Sequence, residues 1–290
     1  MNDYVIVTDA CCDLSQSLIK ETKVEILPLI YHAKGETFYY SLQNKEREIK
    51  DFYKTMRDGE MPSTSQLNPV DAVECFRPYL RSGKDVLYIA FSSGLSGTYQ
   101  SGKLAAIELQ EEFPDRKMIV IDSLAASMGE GLLVWYASQK KASGMTIDEV
   151  ATWVENNRQH ICHWFTVDDL HHLKRGGRVS AASAVIGSAL SIKPILHVDD
   201  EGHLIPVKKV RGRKQSLDVL ADMVTKTAIE PSEQTIFISH GDSLEDAKYL
   251  EKKIKEKHNT KNIQINYIGP VIGTHSGPGT IALFYFGSEK

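Results

Sequence analysis

Residues 4–8, Tyr-Val-Ile-Val-Thr, form an apolar run of strand length, followed by a loop at 9–13 and a helical pattern around 14–21. The alternation continues: 24–30, 86–91 and 118–122 read as buried strands, and 49–58, 99–113 and 128–142 as helices. Such β/α alternation predicts a parallel or mostly parallel sheet with helices on both faces. Ligands of these sheets bind beyond the carboxyl ends of the strands. Asp9, Ser93 and Asp122 each follow a strand, so their loops are expected to converge on one crevice.

The pattern changes after a helix expected at 147–158. Strands are predicted at 160–167, 195–198, 204–210, 235–240, 263–268 and 281–286, with a hairpin across Asp199-Asp200-Glu201-Gly202. The fold class is therefore α/β in two domains. Residues 1–160 form an α/β/α unit on a parallel sheet, and residues 161–290 an α/β unit with a mixed sheet.

The densest chemistry lies in Ser92-Ser93-Gly94-Leu95-Ser96-Gly97-Thr98-Tyr99-Gln100-Ser101, between the strand at 86–91 and the helix at 99–113. Amide groups at a helix N-terminus and the hydroxyls of Ser93, Ser96 and Thr98 suit an anion, and glycine allows close approach. An ordinary N-capped turn uses the same residues. No lysine follows Gly97, so this is not a Walker A loop. Thr98 stands where a Gly-x-Ser-x-Gly nucleophile elbow requires glycine, which weakens a hydrolase reading.

Composition narrows the class. The 290 residues have the charged and apolar fractions of a globular protein, and a formal net charge of −4 argues against a general nucleic-acid binder despite the basic run at 208–214. Cys11 and Cys12 are adjacent, and Cys75 and Cys162 lie far off without Cys-x-x-Cys spacing, so reduced thiols and no structural metal are expected. Neither a secretory leader nor a membrane span is visible, which makes the cytoplasm the expected setting.

Other motifs carry two readings each. Residues 62–66, Pro-Ser-Thr-Ser-Gln, read as a hydroxyl-rich turn before a helix starting near Pro69, with an N-cap as the ordinary alternative. His275 sits among glycines and a proline at 273–279, a tight loop in which a ring nitrogen could serve a carboxylate or a structural hydrogen bond. Residues 173–178, Leu-Lys-Arg-Gly-Gly-Arg, precede a small-residue segment at 179–190 that reads as a packed helix or the wall of a narrow cavity. Arg211 and Arg213 read as solvated charges on an edge strand.

Taken in order, Val7-Thr8-Asp9, Thr64-Ser65-Gln66, the 92–101 loop, the 173–180 segment, Lys193-Pro194-Ile195, 209–214 and 268–279 closely resemble the DegV family of fatty acid-binding proteins, nearly end to end. The resemblance implies a DegV-like two-domain fold holding one fatty acid between the domains. It also implies a role as the lipid-presenting subunit of a bacterial two-component fatty acid kinase, whose acyl phosphate feeds phospholipid synthesis. Carried over by position, the carboxylate-binding residues fall on Thr64, Ser96 and His275, supported by Ser65, Ser93, Gly97 and Thr98. The residue that engages the kinase falls on Arg211. Two departures stand out: Ala10-Cys11-Cys12 replaces the usual hydroxylated residues, and Leu67-Asn68 displaces the proline after Thr-Ser-Gln to Pro69.

The resemblance thus implies a carrier of a long-chain fatty acid such as palmitate, with no catalytic residue, cofactor or metal of its own. Its partner is a separate kinase subunit, with no nucleic acid and no stable membrane insertion. Burying about fifteen methylenes at ~0.8 kcal/mol each offers about 12 kcal/mol before binding costs, enough for a tight complex. The alternative is a serine hydrolase of acyl esters using Ser96 and His275, oriented by Asp122 or Asp9. A structural or regulatory module with an incidental cavity is the third reading.

Overall fold

A computed structural model describes residues 3–42, 46–179, 191–288 and 290 of the chain, without the side chains of Glu46 and Arg47. Its strands are β1 (Tyr4–Asp9), β2 (Glu25–Leu27), β3 (Leu29–Ala33), β4 (Glu36–Tyr40), β5 (Ser63–Ser65), β6 (Asp85–Ala90) and β7 (Met118–Asp122). They continue as β8 (Ile161–Thr166), β9 (Ile192–Val198), β10 (Leu204–Arg211), β11 (Thr235–His240), β12 (Asn262–Tyr267) and β13 (Ile281–Phe286). The helices are α1 (Gln16–Thr22), α2 (Glu46–Arg57), α3 (Pro69–Arg81), α4 (Thr98–Glu112), α5 (Met128–Ala142) and α6 (Ile147–Asn157), then α7 (His171–Arg175), α8 (Arg213–Thr227), α9 (Leu244–His258) and α10 (Pro270–Ser276).

The expected parallel sheet has the order β2-β1-β6-β7. All six residues of β1 and of β6 are buried, as the unbroken apolar runs require. The helix pairs α3–α4 and α5–α6 pack on it. The mixed sheet has the order β10-β9-β8-β13-β11-β12, antiparallel throughout except for the β11–β12 pair. Along β13 the side chains alternate. Ala282 and Phe284 join the core shared with the parallel sheet, whereas Ile281, Leu283 and Tyr285 face a second core with Leu220 of α8 and Leu250 of α9. Helix α5 touches β6 on one side and β8, β11 and β13 on the other, so it is the layer common to both sheets.

Three expectations change. The strand foreseen at 24–30 is divided at Pro28, which has no N–H for a ladder, and β3 turns away into a separate antiparallel sheet of order β4-β3-β5. The turn foreseen at 62–66 is strand β5 of that sheet, with Thr64 opposite Tyr31. His275 lies on the short helix α10, and the tight turn follows it at Gly277 and Gly279, both with positive φ. The small-residue segment expected at 179–190 lies, apart from the buried Val179, outside the described residues.

Candidate functional site

The two sheets meet around a cavity whose empty space, open mouth included, is about 860 Å³. Much of its wall is apolar, with Phe91, Phe165, Leu204, Ile268, Ala282 and Phe284 among the contributors. Thr64, Ser96, Thr98, Arg178, His275 and Ser276 add polar groups.

Strand β5 presents Thr64, and α10 presents His275, from opposite ends of the sequence. Their Oγ1 and Nε2 atoms lie 2.8 Å apart. His275 Nδ1 is buried without a hydrogen-bond partner among the described residues. Because a stranded buried N–H costs about 1–3 kcal/mol, the neutral ring keeps its proton on Nε2 and donates it to Thr64 Oγ1. The Thr64 hydroxyl proton is then left to donate into the cavity. Burial first, and then the nearby charges of Arg178 and Arg175, pull the His275 pKa down to about 4, so the ring is neutral at pH 7.

Ser96 Oγ lies 3.0 Å from Thr98 Oγ1 and accepts the Thr98 amide at 3.2 Å. Thr98 Oγ1 in turn accepts the Leu67 amide at 3.3 Å. Several of the loop amides are engaged within the protein. Ser93 N–H donates to Asp122, Gly94 N–H to Ser92 Oγ, and Leu95 and Ser96 N–H to Ser92 O. Gly97 caps α4 without a side-chain hydrogen bond, and the loop brings the hydroxyls of Ser96 and Thr98 to the cavity.

Of the residues named as support, Ser65 and Thr98 line the cavity, whereas Ser93 is exposed and Gly97 lies beneath the Gln66 side chain. Ser65 Oγ also meets His32 Nε2 at 2.9 Å. Arg211 ends the edge strand β10, exposed and away from the cavity wall. Arg213 is not a solvated edge charge: it begins α8, bonds Asp246 at 2.8 Å and donates to Gly279 O at 2.5 Å, bracing the turn after α10.

The hydrolase arrangement does not assemble. His275 bonds Thr64 and not Ser96. Asp122 receives the amides of Ser93 and Leu124, and Asp9 those of Cys11 and Phe91 together with the Tyr88 hydroxyl.

Beside the cavity, Asp9, Asp13 and Glu130 are buried together, and burial raises the pKa of each, that of Asp13 to about 7. Asp13 also joins the two halves, accepting from Ser127 at 2.6 Å and from the Gly269 amide at 2.9 Å. Among the described residues, no group of His, Cys, Asp and Glu is placed to hold a metal ion, and no helix is long and apolar enough to cross a membrane.

In the sequence Arg178 stands out only as part of a motif, and Ser276 and most of the apolar wall do not stand out at all. The inward strand residues carry the same period-2 signal whether they line a cavity or fill a core. No local pattern separates the two.

Two packed sheets and a shared helix enclose a largely apolar cavity with a cluster of hydroxyls, two imidazoles and, among the described residues, one guanidinium, in a mixed α/β fold. The chain belongs to the DegV family: the model described as "Uncharacterised protein, DegV family" matches residues 3–288. It is 48% identical over 290 residues to a DegV domain-containing protein of Clostridium perfringens, covering 100% of this chain and 99% of the relative. It is also similar to a DegV lipid binding protein of Thermotoga maritima, with 29% identity, a TM-score of 0.87 and 99% of each chain covered. A DegV family protein of Thermus thermophilus, whose structure is described as fatty acid binding, has 29% identity and a TM-score of 0.85, covering 99% of this chain and 100% of that one.

Proposed function

We propose that the chain binds one long-chain fatty acid such as palmitate between its domains, residues 1–160 and 161–290. It then presents the carboxylate to a separate ATP-dependent kinase subunit for acyl phosphate formation. The carrying observation is the 2.8 Å pair of Thr64 and His275 on the wall of a largely apolar cavity. Thr64, Ser96 and His275 hold the carboxylate, with Ser65 and Thr98 beside them, and the apolar wall takes the acyl chain. Oxygen donors fix the orientation while methylene burial supplies most of the affinity.

The lipid- and fatty acid-binding relatives support this reading, because they match the whole chain. The sequence also lacks a Walker A motif, so the phosphate donor belongs to the partner. Arg211, exposed at the end of β10, serves that partner or the phosphate in transit. The carrier works in the cytoplasm, without a nucleic-acid partner or stable membrane insertion.

The test is reconstitution of palmitate-loaded protein with the cognate kinase subunit and ATP, trapping acyl phosphate with hydroxylamine. Palmitoyl hydroxamate that depends on all three components is the expected product. Palmitate that stays unmodified, or is modified equally well without this chain, contradicts the proposal.

A further inference from the structure

His163, on β8, lines the cavity and is 1% exposed. Its Nδ1 lies 2.7 Å from Ile161 O, a carbonyl that can only accept, so the ring proton sits on Nδ1. Nε2 is then a bare lone pair, buried without a hydrogen-bond partner among the described residues. Burial, and then the nearby Lys290 charge, hold the ring neutral, so protonation does not fill that position. A buried acceptor without a donor is costly, and the open space that borders this ring is the cavity.

A second acceptor lies beside it. Ser127 is the N-cap of α5 with φ 52° and ψ −145°, a conformation that residues with a side chain rarely adopt. Its hydroxyl makes no capping bond and lies instead 2.6 Å from Asp13 Oδ2 and 2.9 Å from Ser239 Oγ. Asp13 engages the Ser127 proton, so toward the cavity, which Ser127 also lines, its oxygen can only accept. The strand register sets the two acceptors close together. Ser239 stands opposite Ala282, and His163 opposite Phe284, the next residue on the same face of β13. The Nε2 edge of His163 meets the start of α5 at Gly129, where a Cβ would lie 2.1 Å away.

Thr280, which follows the turn after α10, and Phe284 both line the cavity, and at ~3.3 Å per residue they are roughly 13 Å apart along β13. The acceptor pair therefore lies well away from His275, beside the apolar wall. We propose that His163 and Ser127 form a second polar subsite partway along the cavity that takes a hydroxyl on the acyl chain, which makes mid-chain hydroxylated fatty acids a ligand class of this protein. Both groups accept and neither donates, so the subsite admits a hydroxyl and disfavours a ketone at the same carbon. The inference rests on the fatty-acid reading above and deepens it by naming a substrate class.

The experiment compares octadecanoate with its hydroxy and oxo derivatives, substituted at the tenth or the twelfth carbon, as competitors of a fluorescent fatty acid. In wild type the better hydroxy acid should bind at least as tightly as octadecanoate, and about 10- to 100-fold more tightly than the ketone at the same carbon. His163→Phe keeps a ring but removes the acceptor, and should weaken the hydroxy acid about 10- to 100-fold relative to octadecanoate. Ser127→Gly suits the positive φ and removes the second acceptor, and should lower the same ratio by a smaller factor. Each ratio is taken within one variant, so a general loss of affinity cancels.

Hydroxy and oxo acids bound equally by wild type would overturn the subsite, as would a hydroxy-to-octadecanoate ratio that His163→Phe leaves unchanged. If His163→Phe does not fold, the wild-type comparison of hydroxyl with ketone and the Ser127→Gly ratio decide. A preference for the hydroxyl that falls in Ser127→Gly then supports the subsite, and a ratio unmoved by that variant overturns it. A wild type from which octadecanoate displaces no probe defeats the fatty-acid reading itself, an outcome distinct from any result on the hydroxyl.

Discussion

His275 occupies the space that a side chain on Gly176 would need: a Cβ there would lie 2.2 Å from the ring Nδ1. The contact is reciprocated one helix away, where a Cβ on Gly277 would lie 2.4 Å from His172 Cδ2. These crossings knit α7 to α10 and set the ring that holds Thr64. Gly176→Ala should therefore cost about 1–3 kcal/mol of stability, the range for overpacking, and also weaken palmitate binding by displacing His275. Thermal unfolding and a displacement titration check both effects. Unchanged affinity would show that the ring position does not govern the site.

Thr64→Val and Ser96→Ala each remove one hydroxyl from the proposed head-group site. Each should weaken palmitate binding by about 1–3 kcal/mol, the cost of stranding a buried polar partner. Two variants that bind as tightly as wild type would mean that the carboxylate lies elsewhere.

Two buried groups give opposite pH dependences. Burial raises Asp13 from its usual 3.8 to about 7, so the native state holds a proton that the unfolded chain has released. That contribution to stability is lost as pH rises through about 7. His275 falls from 6.5 to about 4, so its contribution is present above 6.5 and lost as pH drops toward 4. Between about pH 4 and 6.5 the two slopes oppose and largely offset each other, so the melting temperature should change little there. Asp13→Asn should unmask a stability that rises with pH across this window, and His275→Gln one that falls. A profile that neither variant alters would rule out these groups as its source.

Arg211 and Arg213 are separated by one residue and differ in role. Arg213 is tied to Asp246 and Gly279, and Arg213→Ala should lower the melting temperature by loosening the turn behind His275. Arg211→Ala should leave stability within about 0.5 kcal/mol and keep the lipid, yet lose most acyl phosphate formation with the kinase. Exposed Lys208 is the proper control for general charge loss. Normal turnover in Arg211→Ala would refute the partner role, and equal losses in Lys208→Ala would assign it to the whole patch.

The long periodic elements are legible in the residue pattern alone, and 118–122, 128–142, 235–240 and 281–286 match the observed β7, α5, β11 and β13 end to end. The small third sheet is not, because three-residue β5 is a hydroxyl-rich segment that owes its extended form to pairing with β3. The Ser-Gly loop shows its hydroxyls in the sequence but not the fate of its amides, which depends on Ser92 and on Asp122, 29 residues from Ser93. The structure also accounts for glycines that sequence alone leaves ambiguous. Gly94 lets the Glu201–Gly202 turn approach, with a would-be Cβ at 2.7 Å from Glu201 O, and Gly279 makes room for Asp168.

The central claim, a fatty acid held in the cavity, is tested most directly by mass spectrometry of the organic extract from protein purified out of a bacterial host. Methylene burial on this scale favours retention through purification, so about one long-chain fatty acid per chain is the predicted yield. An extract with no stoichiometric lipid, together with no uptake of added palmitate, would contradict the account.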